Sequence, residues 1–295
     1  MYGDCAFMHT DRAEQGVFVM RTRLLSRTAA AVLFSAAAIL TMSGCEQKQV
    51  VLESGAEQQT VSEVLGADGC LNFTMPEKGD EIVVMTIEGY GDVKIRLFPE
   101  ESPKGVENFT TLVRNGYYDE LIFHRVIDKF MIQGGDPRGD GTGGADAWGS
   151  TTGFAQTISP KLNHVTGAVS YAIGSDKMNK SQFYIVTGEQ VKPEWFSQYS
   201  AMYGISFTPA IQDLYASVGG APHLDGGYEI FGQVFDGMEY VLDIQKVPTG
   251  ANDKPKSAVR IEKAVVTEYD GAAPHWLNAV GGVIGSDPAG INDEG

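Results

Sequence analysis

Residues 123–137 read Phe-His-Arg-Val-Ile-Asp-Lys-Phe-Met-Ile-Gln-Gly-Gly-Asp-Pro, and a glycine-rich stretch, Gly139–Gly144, follows them. An arginine (Arg125), two bulky apolar residues (Phe-Met at 130–131) and a glutamine (Gln133) fall within nine positions. Glycine adopts backbone conformations that other residues avoid, so the glycine-rich stretch indicates a tight loop. A cationic donor, an apolar pair and an amide are therefore placed just before a sharply turning segment.

Upstream of this stretch, two runs have the patterns of β-strands. Residues 82–87 (Ile-Val-Val-Met-Thr-Ile) are rich in β-forming side chains, and the turn residues Gly89 and Gly91 follow them. In residues 93–97, apolar and polar side chains alternate with the period of a half-buried strand. The two runs predict a β-hairpin.

Helix signals appear at two places. The first helix is predicted to begin at Ser102-Pro103, because serine suits the cap and proline the first turn, and to end at Asn115-Gly116. A second helix is predicted at Met238–Gln245. A last strand begins at Val259, and a slip in its alternation predicts a β-bulge near Glu262-Lys263. Further short strands are predicted at Ile122–Val126, Val169–Ile173, Gln182–Val186 and Ile230–Val234.

Many short strands, two substantial helices and frequent glycine turns predict a mainly β protein. A closed antiparallel barrel and a β-sandwich both fit this pattern. Of the 295 residues, about 200 have the composition of a folded domain, which is enough for one sizeable core.

Two further motifs accompany the opening stretch. Residues 170–174 (Ser-Tyr-Ala-Ile-Gly) are followed by 181–185 (Ser-Gln-Phe-Tyr-Ile), and residues 223–232 read His-Leu-Asp-Gly-Gly-Tyr-Glu-Ile-Phe-Gly. In order and spacing the three motifs resemble the signature of the cyclophilins, the barrel-shaped peptidyl-prolyl cis-trans isomerases. The resemblance implies a closed eight-stranded antiparallel β-barrel capped by two α-helices, in a domain at 79–270. It also implies an enzyme that rotates the bond preceding proline in another polypeptide.

This reaction needs neither a metal nor a cofactor, and none is expected. Amide resonance sets a rotation barrier of about 18–20 kcal/mol, and a fixed cationic donor stabilises the twisted amide more than the planar one. The resemblance implies that Arg125, Phe130 and Gln133 are catalytic. Arg125 matches the family's catalytic arginine, Phe130 lies in the proline pocket, and Gln133 orients Arg125 and contacts the substrate backbone. His124 is expected to be structural, since no proton is transferred.

The resemblance also implies a set of substrate-binding residues. Gln182 is expected to contact the peptide, Ala172 to line the pocket for the residue before proline, and Gly141 to line an adjoining pocket. The whole set is Met131, Gly141, Ala172, Ile173, Gly174, Gln182, Phe183, Tyr184, His223, Leu224 and Tyr228.

Four of these residues depart from the family's usual ones. Ile173 stands where asparagine is common, at a position that contributes largely through its backbone. Tyr184 replaces a phenylalanine, His223 a tryptophan and Tyr228 a histidine. Tyr184 keeps an aromatic wall, and residues such as His223 and Tyr228 occur readily at these positions among bacterial members of the family, so activity is still expected.

Composition limits the partners. Lys and Arg number 22 against 38 Asp and Glu, a net charge of −16, which disfavours nucleic acid as a partner. Proline-containing polypeptides are expected as substrates and a monomer as the assembly. A module that only binds such polypeptides is the competing class, and Arg125 and Gln133 favour the enzyme, because a pure binder has no reason to retain them.

The N-terminal region has the pattern of an export signal. Residues 20–44 contain a basic start and an apolar run of about fourteen residues, as in a secretory signal peptide; residues 1–19 are read as an upstream extension. The sequence Met-Ser-Gly-Cys ending at Cys45 resembles a bacterial lipobox, which predicts lipidation of Cys45 and attachment to the extracytoplasmic face of the cell membrane. An ordinary secretory signal, and a secreted protein, is the alternative. Residues 45–78 are predicted to be a flexible tether.

Two segments exceed a minimal cyclophilin. An aromatic-rich insert at 189–221 is predicted to contain helical turns at Glu194–Tyr203 and Pro209–Val218. Two roles are open for it, a self-packing decoration of the barrel, which we favour, and an extra substrate platform beside the active site. Residues 271–295 are predicted to be a C-terminal tail.

Overall fold

A computed structural model describes residues 70–272. The predicted signal segment, Cys45, residues 45–69 of the predicted tether and nearly all of the tail lie outside the described residues. Residues 70–78 of the predicted tether are described, and there Cys70 and Asn72 are buried and Asn72 donates to Gln233 Oε1 at 2.9 Å, so this end of the segment is part of the fold and not a flexible tether. At the start of the domain the predicted hairpin is confirmed: β1 (Glu81–Ile87) pairs antiparallel with β2 (Gly91–Leu97), and Val84 lies opposite Lys94. The alternation in β2 places Val93 and Ile95 in the core, both fully buried.

Eight strands form one antiparallel sheet. The remaining strands of the described residues are β3 (Arg125–Ile127), β4 (Met131–Gly134), β5 (Phe154–Ala155), β6 (Ala168–Tyr171), β7 (Met178–Asn179), β8 (Phe183–Val186), β9 (Ile230–Asp236) and β10 (Ile261–Glu268). The sheet runs in the order β10, β1, β2, β9, β6, β8, β4, β3, and β5 pairs separately with β7. The mainly β prediction is confirmed, with strand bounds shifted by up to three residues.

The predicted closure of the barrel is overstated. β3 and β10 end the sheet order, and between them only an isolated bridge joins Ile122 to Arg260, with a backbone bond from Phe123 N–H to the carbonyl of Val259 at 2.9 Å. Residues 115–120 form turns, so β3 begins too late to run along β10. The sheet is therefore a curved half-barrel with an irregular seam.

The predicted bulge in the last strand is confirmed. Lys263 pairs with Thr86, whereas Ile261 pairs with Ile87, so Glu262 has no partner of its own on β1. An unpaired residue of this kind bends the strand and increases its twist.

Two helices pack into the barrel core and two belong to the insert. α1 (Pro103–Arg114) and α4 (Met238–Ile244) match the two predicted helices, and α2 (Pro193–Tyr203) and α3 (Pro209–Val218) match the helical turns predicted in the insert. None of the helices within residues 70–272 has the length and apolar character needed to cross a membrane.

Ser102 precedes α1 as predicted, but its side chain does not cap the helix. Its hydroxyl donates instead to Glu229 Oε1 at 2.6 Å. Glu229 is fully buried and its Oε2 accepts bonds from the Thr157 N–H, at 2.7 Å, and from the side-chain amide of Asn179. A polar network thus joins α1 to β7 and to the start of β9.

The strands have two apolar faces. One face belongs to the main core, and the other bears a second apolar cluster that contains several of the predicted site residues. In β4 and β8, Ile132 and Ile185 face each other and belong to the main core, fully buried. Their neighbours Met131 and Tyr184 belong to a second, smaller apolar cluster. Because successive side chains of a strand point to opposite faces, the opening sequence stretch contributes to both.

Candidate active site

Arg125 and Gln133 lie directly opposite each other on the antiparallel pair β3–β4. The short turn between the two strands creates this pairing, so residues eight positions apart in sequence become neighbours. Arg125 Nε donates to Asp253 Oδ2 at 3.3 Å, and the two side chains are 41% and 46% exposed. The guanidinium is thus oriented by a carboxylate and still open to solvent.

Gln133 is connected to the glycine loop through hydrogen bonds of Gln182. Its Nε2 donates to Gln182 Oε1 at 2.9 Å, and Gln182 Nε2 donates to the carbonyls of Gly141 and Gly143 at 3.1 and 2.7 Å. The hydrogen bonds place Gln133 against Gln182, and Arg125 against Asp253, rather than joining Gln133 to Arg125. The predicted orienting role of Gln133 toward Arg125 is therefore not the arrangement in this structure.

The glycine loop is shaped by a buried carboxylate that the sequence analysis did not single out. Asp136 accepts bonds from the N–H groups of Arg138, Asp140 and Gly141, at 2.6–3.1 Å. Gly141 has φ +85°, in the left-handed region that favours glycine. Lys254 Nζ also donates to the carbonyl of Gly139 at 2.7 Å. The signal for this loop was the Asp-Pro pair followed by glycines, because aspartate commonly bonds to backbone N–H groups a few residues on.

A small pocket lies beside the glycine loop. It encloses about 230 Å³ and is lined in part by Gln133, Gly141, Ala172, Ile173, Gly174 and Gln182. The structure thus brings together the first two sequence motifs at one place, as predicted.

The second apolar cluster lies at the place where the proline pocket is predicted. Met131, Tyr184 and Leu224 are buried in it, and Phe130, Ala172 and Tyr228 pack against it, partly exposed. The rings of Tyr184 and Tyr228 meet edge to face at 6.1 Å. The partly exposed members give this cluster an apolar surface at the predicted position of the proline ring.

The predicted substrate contact of Phe183 is wrong. Phe183 is fully buried in the main core, where its ring meets Phe109 at 5.6 Å and Tyr118 at 5.5 Å. It precedes Tyr184 on β8, and adjacent residues of a strand face opposite sides. Only Tyr184 of this pair can reach the pocket.

His223 lies between the pocket and the insert. Its ring stacks on Phe130 at 5.6 Å, and Tyr199 and Tyr203 of α2 approach it at 5.9 and 5.8 Å. Burial lowers the pKa of His223, so the ring is neutral at pH 7. Within the insert Phe196 packs against Phe207 at 5.2 Å, and both are continuous with the main core of the barrel, so the insert packs on the barrel as well as on itself. A role limited to decorating the barrel does not account for the contacts that Tyr199 and Tyr203 of the insert make with His223.

A buried network supports the third motif. Asp225 accepts bonds from the His164 N–H and Nδ1 at 2.8 and 2.9 Å and from Tyr215 Oη at 2.7 Å. His164 Nε2 lies 3.3 Å from Ser170 Oγ, and its ring stacks on Tyr184 at 6.2 Å. The network fixes the back of the pocket, and no sequence pattern identified His164 beforehand.

Comparison with known proteins decides the family. The model of the family described as "Cyclophilin type peptidyl-prolyl cis-trans isomerase/CLD" matches residues 82–266, more than half of the chain. The chain belongs to this family.

Relatives and solved structures agree with this assignment. A Staphylococcus aureus (strain USA300) protein whose name places it among the peptidyl-prolyl cis-trans isomerases is 40% identical over 188 residues, covering 64% of this chain and 93% of that protein. A Streptococcus pyogenes (serotype M6) protein, whose name describes a bifunctional phosphatase and peptidyl-prolyl cis-trans isomerase, is 42% identical over 186 residues; the match covers 62% of this chain and 38% of that protein.

A solved cyclophilin of Cryptosporidium parvum is similar to this one in fold. The comparison gives a TM-score of 0.50 and 31% identity, and covers 64% of this chain and 99% of the parasite chain. That crystal structure was obtained in the presence of the dipeptide Ala-Pro.

In this cyclophilin, Asp253 is a further site residue that sequence reasoning missed, besides Asp136 and His164. It lies 128 positions from Arg125, in a 3-10 helix at Ala251–Asp253, where both Asn252 and Asp253 have positive φ. An Asn-Asp pair in a turn is a weak signal, because these residues are common wherever the chain turns.

His124 of this cyclophilin has a structural position, and it should make stability depend on pH. It is 5% exposed, neither ring nitrogen has a hydrogen-bond partner among the described residues, and burial lowers its pKa below the usual 6.5. Between the lowered pKa and 6.5 the unfolded chain binds more protons, so the free energy of unfolding falls as pH falls through this window. In His124→Leu that part of the decrease should disappear.

Urea unfolding of the wild type and of His124→Leu at pH 7, 6 and 5 measures this difference. The two proteins share every other titrating group, so the contribution of those groups to the pH dependence of the unfolding free energy cancels when the two are compared. An unchanged pH dependence in the variant would contradict the assignment of the depressed pKa to His124.

Proposed function

We propose that this cyclophilin accelerates cis–trans rotation of X-Pro bonds in exported polypeptides and so assists their folding outside the membrane. The observation that carries the proposal is the position of Arg125. It lies opposite Gln133 on the hairpin that continues into the apolar pocket of Phe130 and Met131. A partly exposed guanidinium on the hairpin that leads into a partly exposed apolar cluster suits one bond type, the amide that precedes proline.

The pocket would hold the proline ring while the rest of the amide turns. Burying an apolar ring removes it from water, at about 25 cal/mol per Å² of apolar surface. Met131 and Tyr184 are 2% and 5% exposed, so the pocket walls are fixed by packing. A fixed ring leaves the carbonyl side of the bond as the part that rotates.

Arg125 would stabilise the twisted amide. Resonance is lost at the top of the barrier, and the proline nitrogen regains a lone pair that a cationic N–H group can approach. A donor already in place acts without reorganisation, and it acts mainly on the transition state. The ion pair with Asp253 at 3.3 Å supports this role, because it orients the guanidinium before substrate arrives.

Gln133 and Gln182 would contact the substrate backbone beside the held proline ring. Their mutual hydrogen bond, and the two bonds from Gln182 to the glycine loop, fix both amides in advance. The small pocket at Gly141 and Ala172 would take the side chain that precedes proline. Holding one side of the bond while the other turns is the positional requirement of this reaction.

Exchange of an Ala-Pro test peptide in the presence of the purified protein tests the proposed activity. Uncatalysed exchange takes tens to hundreds of seconds, so a protease-coupled assay or exchange spectroscopy detects acceleration directly. Exchange at the uncatalysed rate, with the peptide bound, would instead favour a module that only captures proline-containing chains.

Cys45 is proposed to carry lipid that attaches the protein to the extracytoplasmic face of the membrane. The apolar run that ends at Ser-Gly-Cys supports this site. Metabolic labelling with a palmitate analogue should mark the wild type and leave Cys45→Ser unlabelled.

Cys5→Ser is the matched control for this experiment and should label like the wild type. Cys70 is buried, and burial raises its pKa to about 11, so it is a poor acceptor in the folded domain. Equal labelling of Cys45→Ser and the wild type would indicate an ordinary secretory signal.

A further inference from the structure

The insert is fixed to the face of the barrel that bears the pocket. Tyr215 of α3 is fully buried and donates to Asp225 Oδ2 at 2.7 Å. At the ends of the insert, Val191 N–H donates to the carbonyl of Tyr215 at 3.1 Å and Ala221 N–H to that of His164 at 2.8 Å. Buried and hydrogen-bonded at several points, α2 and α3 hold a definite position beside the pocket.

A row of rings connects the proline pocket to the insert. Phe130, in the pocket rim, stacks on His223, and His223 in turn contacts Tyr199 and Tyr203 on α2. Aromatic contacts of this kind are attractive at centroid distances of 4.5–7 Å. The apolar surface of the pocket therefore continues beyond His223 onto the insert.

Beyond this row lies a groove that has no place in the mechanism described above. It encloses about 860 Å³ between residues 203–211 of the insert and the loop 158–163. Its lining includes His223, Leu224 and Tyr228. Leu224 and Tyr228 also belong to or pack against the second apolar cluster, and His223 stacks on Phe130, so the groove adjoins that cluster. The small pocket at Gly141 shares none of its lining residues. Proline would therefore sit between the two spaces.

The chemistry of the groove suits uncharged apolar side chains. Ile158, Ile205 and Ile211 contribute to its walls. Asp225 is a carboxylate in the lining, and it already accepts bonds from Asn163, His164 and Tyr215. A ligand that enters would meet apolar walls and a carboxylate that is already satisfied.

We propose that this groove binds the substrate residues that follow proline and prefers large apolar side chains there. The inference rests on the proposed isomerase function, which assigns the residue before proline to the pocket at Gly141 and Ala172. Because the chain leaves the proline ring in the other direction, the next residues reach His223 and Tyr228 and then the groove. The insert would thus extend recognition from an X-Pro pair to a longer apolar segment.

Two peptides with a common Ala-Ala-Pro core test the inference. One continues with Leu-Phe and the other with Gly-Ser, and their affinities for the intact protein are measured by titration. The apolar peptide should bind about fivefold to tenfold more tightly, the order expected for partial burial of two apolar side chains. Equal affinities for the two peptides would overturn the proposal.

Substitutions in the groove lining test whether the groove causes the preference for the apolar peptide. The double variant Ile158→Ser/Ile205→Ser should bind the two peptides equally. Met202→Ser is the control: Met202 lies on α2, is 72% exposed and is outside the lining, so this variant should retain the wild-type preference. Ser206→Trp, at an exposed lining position, should fill the groove without opening any core. A preference that persists in both groove variants would contradict the assignment.

The outcome is separable from that of the isomerase proposal. Affinity is measured without turnover, so a protein that fails to accelerate exchange still reports whether the groove selects apolar residues. Conversely, an active enzyme with no preference would leave the proposed function standing and overturn only the groove.

Discussion

Replacing Arg125 with alanine is expected to lower kcat/KM for X-Pro exchange by about 100-fold to 1,000-fold, the usual effect of removing one fixed donor from a developing charge. The side chain is 41% exposed and is not part of either apolar cluster. Its loss therefore opens no core, and the free energy of unfolding should change by less than about 1 kcal/mol. Exchange spectroscopy and urea unfolding measure the two quantities separately.

Arg114→Ala is a matched control. Arg114 is 48% exposed and paired with Glu81, so its replacement removes the same charge from a similar surface ion pair at the end of α1. It should leave kcat/KM unchanged. Arg125→Lys should restore part of the lost rate, because lysine keeps the charge without the planar fork. Full activity in Arg125→Ala would refute the mechanism.

Replacing Glu229 with alanine is expected to lower the free energy of unfolding by about 2–4 kcal/mol. Its carboxylate accepts bonds from Ser102 and Asn179, both fully buried, and from the Thr157 N–H. A buried donor left without an acceptor costs about 1–3 kcal/mol. That loss is a large part of the stability of an ordinary domain, about 5–15 kcal/mol.

Glu229→Gln separates the hydrogen bonds from the charge. Burial raises the pKa of Glu229, so the ionised form is disfavoured at this position. A glutamine can accept from Thr157 and Asn179 with its oxygen and donate to the hydroxyl of Ser102, which can turn to accept. The variant should lose much less stability than Glu229→Ala. Comparable losses in urea unfolding would indicate that charge, and not hydrogen bonding, holds the network together.

Local patterns predicted the elements whose causes are local. The β1–β2 hairpin follows from a period of two and two turn glycines, and the limits of α1 follow from Ser102-Pro103 and Asn115-Gly116. The bulge at Glu262 could be located because a slip in alternation exchanges the two faces of a strand. The family motifs brought Arg125 and Gln133 to one site.

Long-range partners could not be predicted in this way. Asp253, which orients Arg125, and Glu229, which takes the hydroxyl of Ser102 away from the helix cap, are each more than 120 residues from their partners. The assignment of Phe183 to the site failed for a different reason, because a motif carries no information about which face each of its residues occupies. The incomplete seam between β3 and β10 depends on where the turns before β3 end.

The pairing of the first strand with the last has a consequence for the order in which this domain is assembled. Glu81 lies opposite Glu268, and Gly79 N–H donates to the carbonyl of Tyr269 at 2.9 Å, so strands from the two ends of the domain are neighbours, about 5 Å apart. The same geometry makes assembly of the sheet wait for synthesis of its final residues, since β1 finds its outer neighbour only when β10 has emerged.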